Sequence, residues 1–224
     1  MAQFLLGKEK NTNKIISISE ALNGLSCNCV CPKCGEVVMA VQGKKNEWHF
    51  RHYDESVCKG GQETALHEMA KQIIIENSAI HIPTYGHISY SNPVKEKSIN
   101  SFVRPDVTVN LDDEKCLYVE ILVSNPVDSE KEKFYCDHCY NCIEINLKGY
   151  EFTSKDELVK EVLFNDLNKK IIYWQKKIIN KPEETPVEDS NFLLKGLAFL
   201  GVIGVGYMMF GPKKKQKKRK ENYF

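Results

Sequence analysis

The sequence predicts an α/β protein that carries a small metal-binding module at its N-terminus and a membrane-spanning helix near its C-terminus. Three observations lead to this prediction. Cysteines and histidines concentrate within residues 1–60, helical and strand patterns alternate within 61–180, and a nearly uncharged apolar run occupies 192–210. A chain of 224 residues with 42% hydrophobic content can bury one ordinary core and still carry a small satellite module. Two large domains are therefore not expected.

The charge is distributed unevenly along the chain, although the net charge is only +1. Residues 211–224 hold seven lysines and arginines against one glutamate, and residues 191–210 hold a single lysine. Residues 1–190 are left with 23 basic and 29 acidic side chains. An acidic body has little general affinity for nucleic acid, so DNA would have to bind through a local basic patch or a bound metal ion.

The cysteine content favours a reducing compartment. Nine cysteines occur, and the apolar run at residues 4–6 is too short to form the core of a signal peptide. In a reducing compartment, closely spaced cysteines bind metals or remain thiols more often than they form disulfides. We therefore expect the folded part of the chain to lie in the cytoplasm.

The predicted module, residues 1–60, begins with a β-rich stretch over 1–26 and continues with a segment rich in cysteine, histidine and glycine. The run Cys31-Pro-Lys-Cys34-Gly35 is typical of a knuckle whose two thiolates face one Zn²⁺. The run Trp48-His49-Phe50-Arg51-His52 offers two imidazoles. So short a segment lacks the apolar mass to fold unaided, which favours a metal.

We expect a structural zinc site, because four protein ligands leave no coordination position open for chemistry. The predicted ligands are Cys31, Cys34, His49 and His52, with Cys58 or Cys29 as competitors for the last position.

A second cysteine run consists of Cys136, Cys139 and Cys142. It has the spacing to bind another metal ion. The favoured interpretation is a helix end that leads into a buried strand, where cysteine behaves as a small apolar residue.

The predicted core, residues 61–180, alternates helical and extended patterns. Apolar residues recur at helical spacing over 62–77, and a second helix is predicted over 155–179, capped by Ser154. Between them, runs of Val, Ile, Leu and Tyr predict neighbouring strands. The predicted strands are 102–109, 117–123 and 142–147. This order of helix, strands and helix predicts an α/β core.

Two acids stand in predicted strands. Asp106 follows Arg104-Pro105 at the start of one strand, and Glu120 lies inside the apolar run of the next. A buried carboxylate is costly without a partner, so Glu120 requires a cation, a metal ion or a hydrogen-bonded network. Two acids from adjacent strands can hold Mg²⁺ and leave positions for a phosphate and an attacking water.

These motifs together resemble the competence protein CoiA-like family. The resemblance covers roughly residues 20–180 and rests on motifs in a fixed order: the Cys31 knuckle, Trp48 to His52, Glu63-Thr64-Ala65-Leu66-His67, Arg104-Pro105-Asp106 and Val119-Glu120-Ile121. The resemblance implies a zinc-ribbon-like N-terminus joined to a restriction-endonuclease-like PD-(D/E)xK core, hence a Mg²⁺-dependent nuclease that acts on DNA.

The resemblance also assigns site residues. Asp106 and Glu120 match the motif acids, and Glu63 and His67, one helical turn apart, match the family's Glu-Thr-x-x-His pattern. The motif lysine would stand two residues after the second acid, where this chain has Leu122. Lys131 is the candidate to supply that cation from the next helix.

The C-terminal part is predicted to comprise a linker at 181–191, a transmembrane segment at 192–210 and a polybasic tail at 211–224. The apolar segment is close to the roughly 20 residues that a helix needs to span a bilayer, and the tail would meet lipid headgroups. The positive-inside rule keeps the tail in the cytoplasm, which conflicts with a cytoplasmic folded domain on the other side of the segment.

Three functions are compatible with these features. The first is a membrane-tethered, metal-dependent nuclease that acts on DNA. The second is a nuclease-fold protein that has lost catalysis and binds DNA or a protein partner at the membrane. The third is a zinc-stabilised membrane adaptor without a role in nucleic-acid chemistry.

Overall fold

The computed structural model describes residues 4–45, 47–54, 58–101, 103–112 and 114–175. The first part forms a five-stranded antiparallel sheet with the strand order β2-β1-β3-β4-β5. Its strands are β1 (Leu6–Glu9), β2 (Ile15–Ser17), β3 (Gly24–Val30), β4 (Val37–Val41) and β5 (His49–His52).

Phe4 ties the start of the described chain to the last strand of this sheet. Its backbone N–H donates to the carbonyl of Phe50 at 3.2 Å, and the N–H of Phe50 donates back at 2.7 Å. Both rings are buried, and their centroids lie 6.0 Å apart. This sheet therefore has a small apolar core of its own, in which Cys27, Cys29, Val38 and Ala40 also pack.

Helix α1 (Gly61–Glu76) follows the first sheet and confirms the predicted helix within one residue at each end. Its apolar face contributes Leu66, Met69 and Ile73 to the main core. Gln72 joins the helix to β2, since its side chain accepts from the N–H of Ile15 at 2.8 Å and donates to the carbonyl of Ile15 at 3.2 Å. The two parts of the chain thus pack as one unit around α1.

The second sheet has five strands in the order β12-β11-β10-β9-β8. The pair β10 and β11 is parallel and the other pairs are antiparallel. A separate hairpin, β6 (Ala79–Ile82) and β7 (Gly86–Ser89), precedes this sheet. The strands of the second sheet are β8 (Ser91–Lys95), β9 (Val107–Asn110), β10 (Cys116–Leu122), β11 (Asn141–Asn146) and β12 (Lys169–Tyr173).

Two short helices complete the fold. Helix α2 (Ser129–Asp137) connects the parallel strands β10 and β11, and helix α3 (Lys155–Leu163) connects β11 and β12. Alternate residues of β10 separate the two faces of the sheet: Leu117 and Val119 join the core shared with α1 and α3, whereas Tyr118 packs beside Tyr135 of α2. The expected α/β class and the adjacency of the three predicted strands are confirmed.

The predicted helix over 155–179 ends at Leu163, and the prediction is wrong over 164–175, the last part of that range that the structure describes. The N–H of Leu167 donates to the side chain of Asn165 at 2.9 Å, and Leu167 is 97% exposed. The chain then enters β12, where Ile171 lies opposite Ile143 of β11. Asparagine and aspartate at 165–168 favour a turn, and the β-branched residues that follow find a strand partner. The Ser154 cap is confirmed by its acceptance of the Glu157 N–H at 3.3 Å.

Among the helices of the described residues, none has both the length and the apolar character needed to cross a bilayer. The linker predicted at 181–191, the membrane segment at 192–210 and the tail at 211–224 all lie outside the described residues.

Candidate functional site

Four side chains form what we call the metal cluster: Cys31, Cys34, His52 and Cys58. Their ligand atoms all lie within 4.8 Å of one another. The sulfurs of Cys31 and Cys58 are 3.9 Å apart, and the sulfur of Cys34 lies 3.3 Å from Nε2 of His52. Two sulfurs bound tetrahedrally at roughly 2.3 Å from one Zn²⁺ would be separated by roughly 3.8 Å. This Cys3His set therefore fits a metal ion such as zinc.

The metal cluster differs from the expected ligands at one position, where Cys58 stands in place of His49. Side chains alternate between the two faces of a strand, so positions 49 and 52 of β5 point in opposite directions. Nδ1 of His49 instead lies 2.8 Å from the carbonyl oxygen of Glu47. The alternation of side chains along a strand could have excluded His49 from the sequence alone, and Cys58, one of the two competing ligands, completes the cluster.

The second cysteine run is divided between three environments. Cys136 is exposed in the last turn of α2, Cys139 is exposed in the following turn with φ at 55°, and Cys142 is buried in β11. Burial raises the pKa of the Cys142 thiol. Among the described residues, this run supplies no group of three metal-ligating side chains comparable to the metal cluster. The interpretation of a helix end leading into a buried strand matches this arrangement.

Asp106 and Glu120, which we call the acid pair, lie at neighbouring strands: Asp106 immediately precedes β9, and Glu120 lies within β10. Val107 of β9 lies opposite Val119 of β10, so the next position along each strand brings Asp106 towards Glu120. The Oδ2 atom of Asp106 accepts the N–H of Ile121 at 2.8 Å. Asp106 is thereby attached to the strand that carries Glu120.

The remaining partners of Asp106 come from α1. Nε2 of His67 lies 3.0 Å from Oδ2 of Asp106, and Nζ of Lys71 lies 3.8 Å from Oδ1. Burial alone would raise the pKa of this carboxyl group. The bond and charge of His67, the N–H of Ile121 and the charge of Lys71 outweigh burial and leave the pKa of Asp106 below its usual value.

Glu120 is held from α2. Nζ of Lys131 lies 2.8 Å from each carboxylate oxygen of Glu120, and the hydroxyl of Tyr135 donates to Oε1 at 2.5 Å. Burial raises the pKa of Glu120, and the negative charge of Asp106 acts in the same direction, although Lys131 and Tyr135 oppose the shift. The two acids therefore have pKa values shifted apart, a pattern that is common in catalytic sites.

The other predicted site residues lie around a cleft of about 260 Å³ beside Asp106. Glu63 and His67 of α1 line one wall, and Ile121, Ser124 and Asn125 line the other. Glu63 lies in the first turn of α1, and His67 follows one turn later. The structure thus brings Asp106 and His67 into contact, places Glu63 on the same cleft, and joins Lys131 to Glu120.

Arg104 does not bind the acid pair through its guanidinium. Its side chain forms an ion pair with Glu96 and donates from Nε to the carbonyl of Glu96 at 3.0 Å, while its own carbonyl accepts from Lys131 at 3.1 Å. Two residues at the site were missed at the level of sequence, namely Lys71 and Tyr135. The spacing of four residues from Glu63 to His67 to Lys71 was a usable signal.

The acid pair offers carboxylate oxygens as donor atoms for a Mg²⁺ ion. Carboxylate oxygens are the ligands that Mg²⁺ prefers, and each oxygen has two lone pairs. Within the described residues, Oε2 of Glu120 accepts one hydrogen bond, and Oδ1 of Asp106 faces the ammonium of Lys71 at 3.8 Å. Both atoms retain the capacity to coordinate a cation, so the donor set fits.

Comparison of the chain with family models, with curated proteins and with solved structures finds no match in any of the three.

Proposed function

We propose that this protein is a metal-dependent nuclease that cleaves DNA, built on a restriction-endonuclease-like core with a zinc-ribbon-like module. The observation that carries the proposal is the convergence of two strand acids with a lysine: Asp106 and Glu120 are brought together by register, and Lys131 bonds to Glu120. The ordered motifs that resemble CoiA-like proteins support the same function. The metal cluster is proposed to hold one structural zinc ion.

In this proposal, Asp106 and Glu120 hold Mg²⁺, which supplies Lewis-acid stabilisation of the phosphate and a water of lowered pKa. His67 and the N–H of Ile121 orient Asp106 through its Oδ2 atom. Tyr135 fixes the Glu120 side chain through Oε1. These contacts set the donors in place before substrate binds, which reduces the reorganisation required in the transition state.

Lys131 takes the role of the motif lysine that Leu122 does not supply. Its ammonium group reaches Glu120 from α2 and is partly exposed, with a side-chain accessibility of 23%. A cation beside the metal-binding carboxylates can stabilise the negative charge that develops on a phosphate during cleavage. Relocation of the lysine from the strand to the adjacent helix keeps this charge at the site.

The proposed nuclease is tethered to a membrane by residues 192–210 and retains its folded part in the cytoplasm. This part of the proposal rests on the hydropathy of the segment, the basic tail and the free cysteines. DNA and the membrane are therefore the proposed partners.

The test is a cleavage assay on the full-length chain in detergent, with linear DNA as substrate. Cleavage is expected with Mg²⁺ or Mn²⁺ and is expected to stop with EDTA. Asp106→Asn and Glu120→Gln are expected to abolish cleavage while thermal unfolding shows a folded protein. Glu114→Gln, an exposed acid between the two strands, is the matched control. Absence of metal-dependent cleavage in the folded parent contradicts the proposal.

A second candidate is a nuclease-fold protein that binds DNA without cutting it. It is favoured by the contacts of both Glu120 oxygens with Lys131 and Tyr135, which compete with a metal ion for the carboxylate. It is also favoured by the contact of Asp106 with His67 of α1, whereas Lys131 lies on α2. This candidate predicts metal-independent binding of a labelled oligonucleotide, measured by fluorescence anisotropy, in a parent protein that does not cleave.

A further inference from the structure

Lys71, near the middle of α1, is only 2% exposed. Its Nζ lies 2.6 Å from Oε1 of Glu68 and 2.6 Å from Oε1 of Glu96. Lysine is almost never fully buried unless it is paired. A buried ion pair adds little stability over well-packed apolar side chains of similar volume. Stability alone therefore does not account for a lysine at this position.

The two acids that hold Lys71 each have a second cation on their outer side. Nζ of Lys95 lies 3.3 Å from Oε2 of Glu68, and Arg104 pairs with Glu96. Charges thus alternate inward from the surface: an outer cation, an acid and then Lys71. Lys71 also faces Asp106, whose Oδ1 lies 3.8 Å from its Nζ.

Asp106 is consequently held at both oxygens. Oδ2 accepts from the Ile121 N–H and contacts His67, and Oδ1 faces the ammonium of Lys71. Opposed contacts of this kind resist rotation of the carboxylate about its terminal bond. The same helix supplies both His67 and Lys71, four residues apart, so a single rigid element sets both contacts.

We propose that Lys71 is a positioning residue of the acid pair, which fixes the orientation of the Asp106 carboxylate from the interior of the protein. Its importance for cleavage rests on the proposed nuclease function, whereas its hold on Asp106 does not. Lys71 does not line the cleft, and it acts through Asp106.

The experiment compares Lys71→Met with Lys95→Met in the full-length chain. Lys95 contacts the same Glu68 from the outer side and is the matched control. The backbone amide of Ile121, which donates to Asp106, serves as the NMR reporter. The amide of Val127 donates to a different buried carboxylate, Glu144, at 2.7 Å and serves as an internal reference.

Lys71→Met is expected to shift the Ile121 amide proton upfield, because the hydrogen bond from this amide to Asp106 weakens. The chemical shift of the Val127 amide is expected to stay unchanged. Lys95→Met is expected to move neither signal. Cleavage by Lys71→Met is expected to fall about tenfold or more, since small misplacements of catalytic groups are costly. An unchanged Ile121 amide signal in folded Lys71→Met overturns the proposal.

Glu96→Gln provides a second variant if Lys71→Met does not fold. This substitution, at a partly exposed residue, weakens the ion pair with Lys71. It is expected to shift the Ile121 amide proton in the same direction. An unchanged Ile121 signal in this variant also overturns the proposal. If the parent protein does not cleave DNA, the proposed nuclease function is wrong. The Ile121 amide signal still tests the role of Lys71 in that case.

Discussion

The α-carbon of Gly61 lies against the sulfur of Cys31, so that a Cβ added at residue 61 would approach Sγ to 2.9 Å. The same Cβ would lie 3.7 Å from the sulfur of Cys58. Gly61 is the first residue of α1, whose N-terminal end carries a partial positive charge that favours nearby thiolates. The metal cluster is therefore in direct contact with the helix that carries His67 and Lys71.

Gly61→Ala is expected to weaken both metal binding and the fold, because the added methyl group must displace a ligand sulfur. Overpacking of this kind costs about 1–3 kcal/mol. Thermal unfolding of the metal-loaded protein and competition with a chelator measure the effect. Gly43→Ala is the control, since a Cβ there meets nothing within 4 Å. Equal unfolding temperatures and equal metal affinities in the two variants would show that the contact between residue 61 and Cys31 does not affect stability.

The ligands of the metal cluster are tested by metal content. The purified chain is expected to contain about one Zn²⁺, because four closely spaced ligands form a closed tetrahedral site. Cys58→Ser is expected to lose the metal and to unfold the first sheet, since folding and metal binding are coupled in such modules. His49→Ala is expected to keep it. Retention of zinc by Cys58→Ser together with its loss in His49→Ala would restore the set expected from the sequence.

Lys131→Ala tests the relocated cation. The substitution removes the only lysine in contact with Glu120 among the described residues. Cleavage is expected to fall by about two orders of magnitude if the ammonium stabilises transition-state charge. Lys133→Ala, exposed on the same helix, is expected to cleave like the parent. Full activity of Lys131→Ala would leave charge stabilisation to the metal ion alone.

Lys169 makes stability depend on pH in the alkaline range. Burial lowers the pKa of its ammonium from 10.5 to about 8, although Asp166 and Glu161 oppose the shift. Between these two values the unfolded chain holds a proton that the folded chain has released. The contribution of Lys169 to the free energy of unfolding therefore rises with pH across this window, and the penalty of the buried charge is complete below pH 8.

Lys169→Met is expected to remove this rise and to stabilise the protein at neutral pH by about 1 kcal/mol, after allowance for solvent screening and for the lost bond to Asn165. Denaturant unfolding at a series of pH values measures both effects. Lys160→Met, exposed on α3, is expected to keep the pH profile of the parent. A difference between the parent and Lys169→Met profiles that stays constant from pH 8 to pH 10.5 would contradict the prediction.

Membrane association is tested by truncation. The full-length chain is expected in the membrane fraction, because residues 192–210 approach the length and apolarity of a spanning helix. A chain that ends at residue 190 is expected in the soluble fraction. Extraction at high salt separates an inserted segment from electrostatic attachment of the basic tail alone. Recovery of the full-length chain in the soluble fraction would contradict the predicted membrane anchor.

The periodicity of apolar residues was sufficient to predict those helices and strands whose apolar face is evident within the element itself. Helix α1 and the strands β10 and β11 carry continuous apolar patterns bounded by turn residues, and their positions followed from those patterns. The strand predicted over 102–109 was placed too early, since β9 begins at Val107. The boundary between α3 and β12 did not follow, because Ile171 and Ile172 fit a helical stripe as well as a strand. Pairing with β11, which no local pattern contains, decided in favour of the strand.

The sequence by itself identified the candidate site residues: the Cys31 knuckle, the acids Asp106 and Glu120, and a lysine on the following helix. Only the tertiary structure decided which of these meet. The direction of side chains on β5 brought Cys58 rather than His49 to the metal cluster, and the packing of α1 against the sheet brought Lys71 to Asp106. The physical reason is that contacts between distant segments depend on strand parity, register and helix packing, and these are settled by burial of the whole core.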